Sequence, residues 1–235
     1  MRKRFQLAID GPAASGKSTT AKLVAKELGF DYLDTGALYR AVTLKAIQNQ
    51  IFEDEDKMRQ NNRIINLLND LNINMKMQEG MNRIYLNGKE ITEEIRDIKV
   101  TEKVSQIASI SEVRKKLYNY QISRANDENE LNGIVMEGRD IGSVVLPNAD
   151  VKIFLLADVN SRARRRYDEL KKNNKLNTTF EAIFKSIEER DHADYTRKLS
   201  PLLKARDAIS IDTSNLSIRE QVDKIVTIVS EKLNK

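Results

Sequence analysis

Apolar and polar positions alternate along Phe5-Gln6-Leu7-Ala8-Ile9, which predicts a first strand ending at Asp10-Gly11. The period then changes. Ala21, Val24, Ala25 and Leu28 recur at helical spacing over Lys17–Leu28, and Gly29 marks the stop. Phe30–Leu33 predicts a short strand and Leu38–Ile47 a helix. Over Met58–Leu71, the residues Ile64, Ile65, Leu67, Leu68 and Leu71 form the stripe of an amphipathic helix. Three short strand-like pieces follow, Ile73–Gln78, Arg83–Leu86 and Lys89–Ile91. The last two flank Asn87-Gly88, a pair that tolerates the positive φ of a type I′ hairpin turn.

Val100–Ile110 and Ser111–Arg124 predict two helices, with Ser111 placed to cap the second and Glu112 in its first turn. Gly133–Met136 and Val151–Leu156 are compact apolar runs, typical of strands covered on both faces. Ser161–Lys171 is an arginine-rich helix, Asn173–Thr178 a polar loop and Thr179–Arg197 a charged helix. Ala208–Ile211 is the last strand. Ser217-Ile218-Arg219-Glu220 matches a capping box before the helix carrying Val222, Ile225, Val226 and Val229. Strands alternating with helices imply an α/β fold with a parallel central sheet. The hairpin reads as a small antiparallel insertion near residues 72–100. Ligands on such sheets sit beyond the carboxyl ends of the strands.

Composition narrows this little. The 235 residues are 40% hydrophobic and 32% charged, as in an ordinary globular chain, and suit one domain. Cysteine is absent, which excludes disulfides and thiolate chemistry. No apolar run approaches the roughly 18 residues of a membrane span, and none resembles a signal peptide, so a cytoplasmic protein is expected. The net charge of +5 fits a lysine-rich solvated surface, arginines around a small polyanion, or nucleic-acid binding. No basic stripe interleaved with aromatics supports the last, and no nucleic-acid partner is expected.

The chemistry begins at Gly11-Pro12-Ala13-Ala14-Ser15-Gly16-Lys17-Ser18, a full G-x-x-x-x-G-K-[ST] match between a strand and a helix. Its glycines let backbone N–H groups converge on phosphate oxygens, and the helix N-terminus adds partial positive charge. Lys17 is expected to reach the terminal phosphates of ATP, and the Ser18 hydroxyl to ligate Mg²⁺. Thr19 completes the ATP-binding set. GTPases, ATPases, kinases and motor domains share this loop, so the other motifs must discriminate.

Asp34-Thr35-Gly36-Ala37-Leu38-Tyr39-Arg40 follows the second strand directly. Thr35 and Arg40 suit a phosphate monoester there; a helix cap with a surface arginine is the alternative. Glu137-Gly138-Arg139-Asp140 closes the next core strand. Arg162, Arg164, Arg165 and Arg166 crowd one helix start, where they repel each other unless an anion sits among them. Glu189-Arg190-Asp191, Asp194 and Arg197 form a mixed cluster that also suits an ordinary ion-paired helix face. His192, the only histidine, is expected to be solvated, and Tyr118 and Tyr120 to pack or cap.

These segments, with Ile9-Asp10-Gly11-Pro12, Gly138–Gly142 and Val151–Leu155, stand in the order found in bacterial cytidylate kinases, members of the nucleoside monophosphate kinases. The chain resembles that family from start to end. The resemblance implies a three-layer P-loop kinase fold in a single domain, 1–235. It would contain a monophosphate-binding segment at 35–125, the β insertion and a helical lid near 160–178. It implies transfer of a phosphoryl group from ATP, with Mg²⁺, to CMP or dCMP.

Residue by residue, the resemblance implies that Thr35, Arg40, Arg139 and Arg197 surround the acceptor phosphate. Ser105, Arg114 and Asp140 would read cytosine, and Arg190 and Asp194 would contact the ribose. Arg162, Arg165 and Arg166 resemble lid arginines that close on the transferring group beside Lys17, Arg139 and Arg197. Glu137 and Ser143 depart from the aspartate and threonine expected in the pattern. Another small P-loop kinase and a nucleic-acid-binding P-loop ATPase are the competing readings. Monomer is the expected state.

Overall fold

The structure is a computed structural model that describes residues 4–78, 81–127, 132–172, 176 and 178–234. The chain divides into two compact units, one made of 1–31 and 128–235, the other of 32–127.

In the first unit, β1 (Phe5–Asp10) lies parallel between β6 (Gly133–Gly138) and β7 (Val151–Leu156), and β8 (Ile209–Asp212) adds to β7. With β2 (Asp31–Asp34), the five-stranded sheet has the order β2-β6-β1-β7-β8. The register sets Asp10 of β1 beside Gly138 of β6 and Phe154 of β7. β1 and β6 end level and β7 runs two residues further, so in this parallel sheet the loops that follow them open at one edge. Every residue of β6 is buried, as the apolar run Gly133–Met136 predicts for a strand covered on both faces, and Glu137 is buried with it.

Helix α1 (Lys17–Leu28) packs against α8 (Ile218–Leu233), whose capping box is present as predicted: Ser217 and Glu220 satisfy each other's backbone N–H groups. Helices α6 (Val159–Lys172) and α7 (Phe180–Thr196) pack against each other around Ala163, Ile183 and Ile187. Of the expected lid and its polar loop, Asn173, Asn174, Lys175 and Asn177 lie outside the described residues. Between β6 and β7, Ile141–Val145 forms one π-helical turn that the hydrophobic pattern did not reveal.

In the second unit, α2 (Thr35–Gln48) starts under an Asp34 cap, whose carboxylate accepts the Ala37 N–H at 3.1 Å. It packs against α4 (Ile98–Ala108) and α5 (Ser111–Ala125). The predicted helix over Met58–Leu71 divides into α3 (Lys57–Leu67) and a 3₁₀ turn, Leu68–Asp70. The inserted strands β3 (Ile73–Gln78), β4 (Met81–Leu86) and β5 (Lys89–Glu90) form an antiparallel sheet in that order. Asn87 and Gly88, at φ 50° and 84°, make the expected turn. Tyr120 accepts the Met75 N–H at 3.0 Å, so it packs and caps as expected.

Ser111 is a correction. An N-cap needs extended φ/ψ, and Ile110 holds that place with φ −84° and ψ 123°. Ser111 is already helical, and its hydroxyl donates to Glu112 Oε2 at 2.7 Å instead.

Candidate active site

In the first unit, the site grows from the end of β1. Gly11 has φ 153°, and a Cβ there would fall on the carbonyl oxygen of Leu155 in the adjacent strand β7. Only glycine lets the backbone leave the sheet so closely. The loop then reaches α1, where Lys17 is buried beneath it. Lys17 Nζ donates to Pro12 O at 2.7 Å and to Ser15 Oγ at 3.3 Å. Burial, then the positive charge of Arg139, pushes this ammonium down to about 7, against the pull of Glu137. Ser18 and Thr19 stand exposed in the first turn of α1.

Asp10, one residue before the loop, is buried in the sheet. Its carboxylate accepts the N–H of Ile141 at 2.8 Å and of Gly142 at 2.7 Å. Burial raises its pKa from 3.8 to about 6, although those two N–H groups stabilise the charge. The pair of bonds ties the end of β1 to the segment immediately after Arg139-Asp140. Asp140 itself is buried.

Arg139 Nε donates to Asp194 Oδ2 at 2.7 Å, and Arg197 Nη1 lies 3.6 Å from Asp194 Oδ1. Burial opposes ionisation of Asp194, but Arg139, Arg190 and Arg197 outweigh it and hold its carboxyl below the ordinary range. Arg197 Nε also donates to Ser200 O at 2.7 Å, and Ser200 sits at φ 45°, a strained value for serine. Arg139, Arg190, Asp194 and Arg197 therefore form one charged group, which the sequence spread over two separate motifs.

The arginines of α6 take three different places. Arg162 is buried, with Nη1 donating to Asp191 Oδ2 at 2.5 Å and to Ala13 O at 3.0 Å, and Nε donating to Ala157 O at 3.0 Å. Arg165 donates to Thr213 Oγ1 at 3.2 Å and to the carbonyl oxygens of Thr213 and Ser214. Arg166 pairs with Glu169 on its own helix. Arg164, outside the expected set, lies over the ring of Phe180 at 4.8 Å.

In the second unit, Arg40 on α2 donates to Ile95 O at 3.1 Å and to Thr101 Oγ1 at 2.9 Å. Arg114 on α5 donates to Ala108 O at 3.1 Å and lies over the ring of Tyr39 at 5.6 Å. Thr35 is buried at the start of α2, and Ser105 is half-buried on α4. These three helices pack together, so the predicted monophosphate residues of this unit share one helical cluster.

Sequence reasoning gave no role to Asp10, Asp191 or Thr213. The first two carry a signal, an acid against the phosphate loop and an acid within the Arg190–Arg197 run. Thr213, whose hydroxyl donates to Leu156 O at 2.9 Å and to Ser15 O at 3.3 Å, stands in a plain polar turn and carries none.

A parallel sheet with a phosphate loop after β1 and arginines around it defines a P-loop phosphotransferase. The sequence profile of the cytidylate kinase family matches residues 7–231. A cytidylate kinase of Pediococcus pentosaceus is 51% identical over 231 residues, covering 97% of each chain. One of Ligilactobacillus salivarius is 46% identical over 99% of each chain, and one of Listeria welshimeri is 46% identical over the full length of both. The crystal structure of an uncharacterized protein from Eubacterium ventriosum shares the fold, with a TM-score of 0.50 at 15% identity over 97% of this chain and 99% of that one. The chain belongs to the cytidylate kinase family.

Proposed function

We propose that this protein transfers the terminal phosphoryl group of ATP to CMP and dCMP, giving ADP with CDP or dCDP. The observation that carries the reading is the full-length match to cytidylate kinases, joined to a phosphate loop closed on a buried lysine.

The loop from Gly11 to Ser18, with Thr19, is assigned to ATP. Lys17 is to leave Pro12 O for the phosphates, and the anion restores its ammonium charge. Mg²⁺ accompanies the nucleotide. No cluster of three acidic or histidine side chains that would hold an ion by itself occurs among the described residues. The exposed Ser18 hydroxyl fits an ion that keeps most of its shell as water and phosphate oxygens. Bound there, the ion would neutralise charge on the donor phosphates.

We assign Thr35, Arg40, Arg139 and Arg197 to the acceptor phosphate and Arg190 and Asp194 to the ribose. Ser105, Arg114 and Asp140 are assigned to the base. Asp140 suits the amino donor of cytosine and Arg114 its acceptors, whereas uracil reverses the first pair. Arg165 and Arg166 are assigned to the transferring group beside Lys17. The resemblance gives Arg162 to the same set, and its buried place beside Ala13 supports the different part argued below. The acceptor oxygen is already an ionised phosphate, so no general base is required. Catalysis rests on placing two anions in line and neutralising the charge that spreads between them.

Coupled ADP release across CMP, dCMP, UMP, AMP and GMP tests the assignment. CMP and dCMP are expected to turn over fastest; equal rates with the other monophosphates would remove the substrate claim. No helix among the described residues is long and apolar enough to cross a membrane, and we expect a cytoplasmic monomer with no nucleic-acid partner.

A further inference from the structure

One ion pair lies against the phosphate loop and is not taken up by the chemistry above. Asp191 of α7 accepts the Ala13 N–H at Oδ1, 3.1 Å away, while its Oδ2 meets Arg162 Nη1 at 2.5 Å. The same Arg162 nitrogen donates to the Ala13 carbonyl at 3.0 Å. Both polar groups of residue 13 are thus held by one carboxylate–guanidinium pair, and Ala13, Arg162 and Asp191 are all buried. The neighbouring Ala14, at φ 56°, packs against the apolar cluster of α6 and α7 around Ala163, Ile183 and Ile187. The loop tip is seated on the helix pair by polar bonds at one residue and apolar contact at the next.

We propose that Arg162 and Asp191 form a charge-neutral brace that positions the phosphate loop through the backbone of Ala13 and so sets affinity for the triphosphate donor. The inference rests on the reading that this loop binds ATP. Ala13 commits its N–H to a carboxylate, so the amides left to face the donor phosphates begin at Ala14. The carboxylate that fixes the loop is itself an anion beside an anion site. Arg162 cancels it. Its guanidinium is the right group because Nη1 serves Asp191 and the Ala13 carbonyl while Nε in the same plane donates to Ala157 O, a fixed two-point hold that an ammonium cannot match. Arg162 and Asp191 are then positioning residues, acting on the donor through Ala13 and not by touching it.

A direct phosphate contact by Arg162 predicts a different pattern, and the two are separated by a double-mutant cycle. The measurement is equilibrium binding of Mg-ATP, without acceptor, to the wild type, R162M, D191N and the R162M/D191N double variant. CMP binding and thermal midpoints are recorded for each. R162M leaves a buried carboxylate beside the loop and is expected to weaken ATP roughly ten-fold or more, with CMP affinity unchanged. D191N keeps a carbonyl for Ala13 and is expected to stay within a few-fold of the wild type. In the D191N background, Arg162→Met is expected to be nearly silent, because no carboxylate charge remains beside the loop to be cancelled.

A ten-fold or greater loss from D191N to the double variant would show that Arg162 meets the donor directly and would overturn the brace. So would four equal ATP affinities, or CMP affinity falling in step with ATP. If R162M alone does not fold, the comparison of D191N, whose Arg162 keeps the Ala13 and Ala157 carbonyls as acceptors, with the charge-free double variant decides the matter. Wild-type protein that bound no ATP would instead remove the donor-site reading. Wild-type binding without coupling between the two substitutions would remove only the brace.

Discussion

The ammonium of Lys17 donates to the carbonyl of Pro12 at 2.7 Å, so the lysine closes the loop that it is expected to open for the donor. Burial and Arg139 have brought its pKa down to about 7. A bound triphosphate reverses that shift, because an opposite charge favours the ammonium. ATP binding at pH 8 is therefore expected to take up protons. Calorimetry in buffers of different ionisation enthalpy measures this directly, and no uptake at pH 8 would contradict the shift. Lys17→Ala should abolish phosphoryl transfer and the proton uptake together while leaving the far-UV circular dichroism unchanged.

Asp10 makes a pH-dependent contribution to stability. Its folded pKa of about 6 lies above the ordinary 3.8, so the folded protein holds a proton that the unfolded chain has released. Stability from this group is present at low pH and is lost as pH rises through about 6, by at most about 3 kcal/mol at 1.36 kcal/mol per unit. Asp10→Asn removes the titration. Urea unfolding at pH 4.5 and pH 7 should show a smaller fall for the variant than for the wild type, and an identical fall would refute the assignment.

Asp140 is the acceptor assigned to the amino group of cytosine. Asp140→Ala is expected to lower kcat/KM for CMP at least roughly ten-fold more than for UMP, since a site built on hydrogen bonds loses most with the substrate that made them. Equal losses with both monophosphates would take Asp140 out of base recognition.

Gly11→Ala places a methyl group on the Leu155 carbonyl at a backbone angle that side chains resist. A destabilisation of about 1 to 3 kcal/mol from backbone strain is expected, with loss of ATP binding. Thermal unfolding and an ATP titration check the two effects separately. A variant with the wild-type midpoint would mean that β1 and β7 separate easily at this point.

The layers of the fold were legible because they rest on short-range signals. The apolar runs of β6 and β7, the stripe of α8 and the Asn87-Gly88 turn each reflect residues a few positions apart. The phosphate loop was legible for the same reason, since its residues are contiguous and its chemistry is in the backbone. The hydroxyl of Ser111 misled because a cap depends on φ/ψ at one residue, and Ile110 took that conformation. Arg162 could not be placed from spacing. It shares a helix with Arg165 and Arg166, yet its partners are Ala13 and Asp191, far away in the chain. Spacing alone did not join Arg139 to Asp194 either, because they come from different elements and meet only in the folded unit; only the family resemblance set Arg139 beside Arg197.

The order of the strands has a consequence for how the chain is made. β1 is synthesised before its parallel neighbours β6 and β7, which begin at Gly133 and Val151. At synthesis rates of roughly 5–20 residues per second, an apolar strand with both edges open waits on the order of ten seconds for its first partner. The intervening unit has its own internal contacts and can gain structure meanwhile, so the ribosome delivers residues 32–127 before the first unit is complete. Strand β1 is consequently exposed to misassociation during translation, and chaperone occupancy on nascent chains is expected there until β6 emerges.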